Sequence, residues 1–169
     1  EPFAGEGDLI DYIKSYNKKY KIEAYDIEPK NTYITTKDTL LNPPIYNKKF
    51  IITNPPYLAR NKSENKHIYD KYKVNDLYKC FIKELINNKC MGGIIIIPLN
   101  FICSIRKNDI ILRKDFLSVY SIKQINIFEE NVFEDTNTTV CSLLFIIKES
   151  NENENINIDI YPKKQNIKI

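Results

Sequence analysis

The chain has 169 residues, 43% of them hydrophobic, which is enough to bury one sizeable core and falls within the range of a single domain. Lys and Arg number 25 against 22 Asp and Glu, a surplus too small to identify a nucleic-acid partner by charge alone. Apolar runs such as Ile94 to Ile97 are far shorter than the ~20 residues of a bilayer-spanning helix, and the opening residues do not read as a signal peptide.

Cys80, Cys90, Cys103 and Cys141 show no close pairing of the C-x-x-C kind, which argues against zinc and against a disulfide framework. They read as reduced, mostly buried thiols of an intracellular, cytoplasmic protein. The basic residues gather in two stretches, Arg60, Lys62, Lys66, Lys71 and Lys73, and then Arg106, Lys107, Arg113 and Lys114. Either stretch could be a solvated face.

In chain order, Glu1 to Gly7 form a glycine-assisted turn ahead of a helical pattern from Gly7 to Tyr20. A strand over Lys21 to Tyr25 ends at Asp26, and a third short β-like run precedes Asp38. Phe50-Ile51-Ile52-Thr53 is a compact strand stopped by Asn54-Pro55-Pro56-Tyr57, whose prolines cannot continue a ladder. Leu77 to Ile86 has helical periodicity, Gly92-Gly93 punctuates, and Ile94 to Ile97 reads as a strand buried on both faces and ended by Pro98. A helix is expected over Ile102 to Val119, then strands near Ile122 to Phe128 and Val140 to Ile147, with antiparallel pairing. Ile156, Ile158 and Ile160 alternate like an edge strand after a polar Asn/Glu run. This alternation of strands and helices implies an α/β fold with helices on both faces of the sheet.

Candidate chemistry follows from these placements. The Glu1–Gly7 turn exposes backbone to a ligand beside a helix N-terminus, which suits a nucleoside cofactor. Asp26 stands where a carboxylate can accept from both ribose hydroxyls, with Glu28 as the competing acid. Asp38 could accept from an adenine amine, or it could cap a turn. Asn54-Pro55-Pro56-Tyr57 suits methylation of a planar, poorly nucleophilic amine. The Asn54 oxygen and the Pro55 carbonyl are acceptors for its two N–H groups, consecutive prolines preorganise them, and the Tyr57 ring is a platform for a flipped base. The lone histidine, His67, lies among polar residues and is read as a loop position or phosphate contact.

Four segments together, Glu1-Pro2-Phe3-Ala4-Gly5-Glu6-Gly7, Asp26-Ile27-Glu28-Pro29-Lys30, Asn54-Pro55-Pro56-Tyr57 and Gly92-Gly93-Ile94-Ile95-Ile96-Ile97-Pro98, resemble the adenine-specific DNA amino-methyltransferases, in the gamma-class order. Asn75-Asp76-Leu77-Tyr78 before a helix resembles the same pattern. The resemblance implies a Rossmann-like, seven-stranded S-adenosylmethionine-dependent methyltransferase sheet, here lacking its first strand. It implies cofactor contacts from Glu1, Pro2, Phe3, Ala4, Gly5, Asp26, Ile27, Asp38, Thr39, Asn54 and Pro56, and catalysis by Asn54, Pro55, Pro56 and Tyr57 with no metal. Val132-Phe133 followed by Val140-Cys141-Ser142 resembles the segment that places a second aromatic, here Phe133, beside the flipped adenine. Residues 1–150 are then an N-terminally truncated methyltransferase domain, and residues 151–169 a polar loop and edge strand or linker. The implied partners are double-stranded DNA and a target-recognition domain or subunit outside this chain, within a restriction-modification system. An RNA adenine or a protein glutamine is the alternative acceptor, and a noncatalytic DNA-binding or subunit-interaction module the alternative class.

Overall fold

The computed structural model describes residues 1–130, 132–133, 138–149 and 155–162. The first helix, α1 (Asp8–Tyr16), starts on Gly7, whose φ of 96° is left-handed and open to glycine without strain. Two short strands follow, β1 (Tyr25–Asp26) and β2 (Thr35–Thr36), paired in parallel. Next come β3 (Phe50–Thr53), a 3-10 turn at Arg60–Lys62, α2 (His67–Tyr72), α3 (Leu77–Asn87) and β4 (Gly92–Pro98). The remainder is α4 (Asn100–Cys103), α5 (Lys107–Val119), β5 (Tyr120–Phe128), β6 (Val140–Ile147) and β7 (Asn157–Tyr161).

The strands fall into a two-stranded sheet, β1-β2, and a five-stranded sheet in the order β3-β4-β6-β5-β7. Within the larger sheet β3 and β4 are parallel, β6 is antiparallel to both β4 and β5, and β7 lies parallel to β5 at the edge. The main core joins Phe81, Ile82 and Leu85 of α3 to Ile95, Ile97, Leu143 and Phe145 of the sheet. Phe116, Tyr120 and Phe145 close it with mutual ring-centroid distances of 5.0, 5.3 and 4.9 Å. A smaller core of Ile10, Ala24 and Ile34 ties α1 to the two-stranded sheet. Between the two sheets runs a cavity of about 630 Å³, lined among others by Ile10, Tyr25, Tyr46 and Phe50.

Several expectations are corrected. The strand ending at Asp26 is only two residues long, and α1 stops at Tyr16, where Asn17 turns extended. The helix expected over Ile102 to Val119 is two helices. Ser104 leaves helical geometry and donates to Asp109 Oδ2 at 2.7 Å, and Arg113 binds the Phe101 and Ser104 carbonyls from the following helix. Asp109 also accepts from Lys79 at 2.6 Å, in an ion pair whose side chains are 10% and 11% exposed. The polar stretch after Tyr57 contains α2, because Tyr69 and Tyr72 bury their rings while their neighbours stay in solvent. The antiparallel pairing of β5 with β6 is as expected. Of residues 151–169, the edge strand is β7, whereas 151–154 and 163–169 lie outside the described residues.

Gly92 and Gly93 are strand residues rather than punctuation. A methyl group on Gly93 would run into the Ile51 carbonyl of β3, and one on Gly92 into the Phe145 carbonyl of β6. Both obstacles are backbone, so they cannot move aside as a side chain would. Gly93→Ala is therefore expected to destabilise the fold by about 1–3 kcal/mol in urea denaturation, as overpacking does, and an unchanged midpoint would refute the close approach.

Candidate active site

The residues singled out in the sequence converge where the parallel strands end. Asp26 closes β1, Asp38 and Thr39 follow β2, and Asn54 follows β3, and the Glu1–Gly7 loop lies against all three. Ligands of open α/β sheets bind at this carboxyl edge.

The loop is held by specific bonds. Ala4 N donates to the Tyr25 carbonyl and Tyr25 N to the Glu1 carbonyl, both at 2.9 Å. Gly5, at φ +53°, donates its amide to Asp26 Oδ2 at 2.7 Å, and the other Asp26 oxygen accepts from Glu28 N at 2.9 Å. The Thr39 hydroxyl donates to the Pro2 carbonyl at 2.9 Å, and Thr53, fully buried, donates to Glu1 Oε1. Phe3 packs edge-on against Phe81 at 5.0 Å. Thr53 escaped the sequence reading. The signal available was a hydroxyl residue at the end of an apolar strand, directly before the Asn-Pro-Pro-Tyr motif.

Glu1 is the most perturbed acid of the site. Its Oε2 is buried without a hydrogen-bond partner among the described residues. Burial raises the carboxyl to about 7, against the opposing pull of the bonds from Thr53 and Phe3. An unpaired buried oxygen of this kind fits a cationic ligand group. Two other features fit a nucleoside with an amino-acid tail. An added methyl at Gly5 would meet nothing within 4 Å, so the loop faces open space, and Ile27 beside Asp26 is 64% exposed. Thr39 is 2% exposed, which places it beneath the loop rather than on its surface. Asp38 Oδ1 accepts from Leu40 N and Leu41 N at 3.0 and 2.9 Å, so one of its oxygens caps a turn.

The Asn54–Tyr57 loop leaves β3 with Pro55 buried and Pro56 exposed. Among the described residues nothing donates to the Pro55 carbonyl. Tyr57 Oη lies 2.6 Å from Asn54 Oδ1 and 2.8 Å from the Ile96 carbonyl, and burial pushes this phenol well above its ordinary range, so it keeps its proton. The Tyr57 ring meets Tyr78 edge-on at 6.2 Å and Phe133 at 6.3 Å with a 70° interplanar angle. Beyond the loop, the Leu58 carbonyl accepts from both Tyr69 Oη and Leu77 N, at 3.0 and 3.1 Å.

The remaining candidates stand apart from this chemistry. His67 is exposed at the start of α2. Several cations of the two basic stretches have partners within the fold: Arg60 pairs with Asp70 at 2.9 Å, Lys71 donates to the Leu40 carbonyl at 2.7 Å, and Arg113 is bound as described above. Cys80, Cys90 and Cys141 are buried, and burial pushes the Cys80 and Cys141 thiols up to about 12. Among the described residues no helix is long and apolar enough to cross a membrane.

This arrangement of strands and helices is found in methyltransferases. A Listeria monocytogenes protein described as a class I S-adenosylmethionine-dependent methyltransferase superposes with a TM-score of 0.68 at 12% identity, over 94% of this chain and 56% of that one. The modification subunit of a type I restriction enzyme from Vibrio vulnificus gives 0.61 at 14% identity, over 97% of this chain and 43% of that one. The M protein of the type I restriction enzyme EcoKI gives 0.57 at 18%, over 92% and 40% respectively. At these identities the likeness shows a Rossmann-like class I methyltransferase fold, and the chain spans little more than half of the first structure and less than half of the other two. No curated protein sequence matches the chain. In sequence, residues 6–133, which include Asp26, the Asn54–Tyr57 loop and Phe133, match a family described as the Eco57I restriction-modification methylase. The chain belongs to the Eco57I restriction-modification methylase family.

Proposed function

We propose that this chain is the catalytic domain of a DNA adenine methyltransferase of a restriction-modification system, acting on the exocyclic amine of a flipped base. The observation that carries the reading is the Asn54–Tyr57 loop, placed at the carboxyl end of β3 with the Phe133 ring beside Tyr57. S-adenosylmethionine, when bound, supplies an electrophilic methyl group on a sulfonium. Glu1, Phe3, Ala4 and Gly5 would hold its methionine part, Asp26 and Ile27 its ribose, and Asp38 its adenine, with Pro56 and Asn54 flanking. Thr39 serves from below, by fixing Pro2.

The amine of adenine has its lone pair drawn into the ring. Asn54 and the Pro55 carbonyl accept its two N–H groups, which favours a pyramidal and more nucleophilic nitrogen. Tyr57 supports the base by stacking, worth ~1–3 kcal/mol. Phe133 now presents its ring to Tyr57 at a steep angle, so it becomes the second wall of the clamp only once it turns away to admit the base. Once methylated, the nitrogen is positively charged and sheds a proton without a dedicated base, so orientation and electrostatics supply the acceleration.

Incubating the full-length protein with labelled S-adenosylmethionine and duplex DNA, and identifying the modified nucleoside, tests this directly. Methyladenine is expected, and its loss in Asn54→Ala. Label found in RNA or on a protein glutamine would replace the acceptor, and cofactor binding without any turnover would favour a noncatalytic module. Phe133→Ala should weaken binding of the flipped base by ~1–3 kcal/mol, read as a raised KM for DNA with cofactor affinity unchanged.

Glu1 gives a pH test. Its carboxyl in the fold is raised from 4.5 to about 7, so its protonated form contributes stability that is complete below about 4.5 and lost as pH rises through about 7. A cationic ligand group favours the carboxylate, so cofactor binding expels a proton in that window. Affinity for S-adenosylmethionine should rise with pH up to about 7 and then level off, whereas Glu1→Gln should bind more weakly with no such rise. Calorimetry showing the same pH dependence in both proteins would remove Glu1 from the cofactor site.

A further inference from the structure

The Tyr57 hydroxyl touches two groups but has one proton to give. It lies 2.6 Å from Asn54 Oδ1 and 2.8 Å from the Ile96 carbonyl oxygen. A backbone carbonyl can only accept, and so can an amide oxygen, so with both facing one O–H one contact is left as a close approach of lone pairs. A side-chain amide has a second end that donates, and the two ends are told apart by the hydrogen bonds they make. Both contacts are satisfied if the hydroxyl donates to Ile96 and accepts from the NH2 of Asn54. That requires the Asn54 amide turned end for end, with its oxygen pointing away from Tyr57. Among the described residues, Tyr57 is the one side-chain hydrogen-bonding neighbour of the Asn54 amide, so no other such contact opposes the turn.

We infer that the Tyr57 hydroxyl, anchored on the Ile96 carbonyl of β4, orients the Asn54 amide so that its oxygen is presented to the acceptor amine. This rests on the methyltransferase reading above and adds to it. Tyr57 supplies a face to the base and, through its hydroxyl, positions the acceptor that activates the nitrogen. The anchor point is part of the sheet: Ile96 belongs to β4, which is paired along its length with β6. The ring is further held from the side by Tyr78, so the hydroxyl has little freedom to release Ile96.

Two measurements on the full-length protein test it. Neutron diffraction from deuterium-exchanged crystals should show the Tyr57 deuterium directed at the Ile96 oxygen and two deuterium atoms on the Asn54 atom nearest Tyr57. A Tyr57 deuterium directed at Asn54 would overturn the inference. This readout needs no turnover, so it stands even if DNA proves not to be the substrate, an outcome that would count against the functional reading instead. The second is single-turnover methylation of duplex DNA by Tyr57→Phe, which keeps the ring and removes the hydroxyl. The rate should fall on the order of tenfold, the scale of one hydrogen bond in an active site, with DNA affinity within about twofold. A carboxylate has two accepting ends and needs no such orientation, so in an Asn54→Asp background Tyr57→Phe should change the rate by less than about twofold. Equal losses in the two backgrounds would show that the hydroxyl acts independently of the Asn54 amide and refute the positioning role.

Discussion

Two sheets that share no ladder among the described residues meet at the site through the hydrogen bonds of the Glu1–Gly7 loop, and the rest of the arrangement depends on that stitching. Ala4 and Gly5 bind the end of β1, Pro2 binds Thr39 beyond β2, and Glu1 binds Thr53 at the end of β3. Loss of one of these bonds would loosen a strand end as well as a loop. The cost is visible at Glu1, whose second oxygen is buried with no hydrogen-bond partner among the described residues. Natural folds leave few such atoms, and this one sits at the strand ends where ligands of open α/β sheets are found.

The Asn54–Tyr57 loop is rigid for reasons that accumulate outward from its prolines. Pro55 and Pro56 fix their own φ and restrict the residue before each. The Leu58 carbonyl is held by two donors, one from α2 and one from α3, and Ala59 bridges to Asp76. Tyr57 is pinned by its hydroxyl to β4 and by ring edges to Tyr78 and Phe133. A group whose neighbours are themselves fixed loses little entropy when it meets a substrate, and that is how orientation lowers a barrier.

Behind the loop the sheet is drawn tight by omission of side chains. Gly92 and Gly93 let β4 lie against its neighbours without a Cβ between them, which brings Ile96 to where Tyr57 can reach it. On the helical layer, Lys79 of α3 and Asp109 of α5 form a buried pair that Ser104 completes. Burying two charges gains little net stability. Its structural effect is directional, since it sets where α4 ends and α5 begins.

Much of this was legible in the residues. Phe50–Thr53 followed by two prolines announces a strand and its end, and the spacing over Leu77 to Ile86 shows the buried face of α3. These are properties of neighbours along the chain, and backbone geometry repeats every two or 3.6 residues. The structure decided the rest: that Gly92-Gly93 lie inside a strand, that Ser104 breaks a helix, that β7 runs parallel to β5, that Thr39 is buried, and that Thr53 meets Glu1 across 52 positions. Each depends on a group brought near by folding, such as a carbonyl of the adjoining strand or a carboxylate on another helix, and local periodicity carries no record of which distant residue that will be.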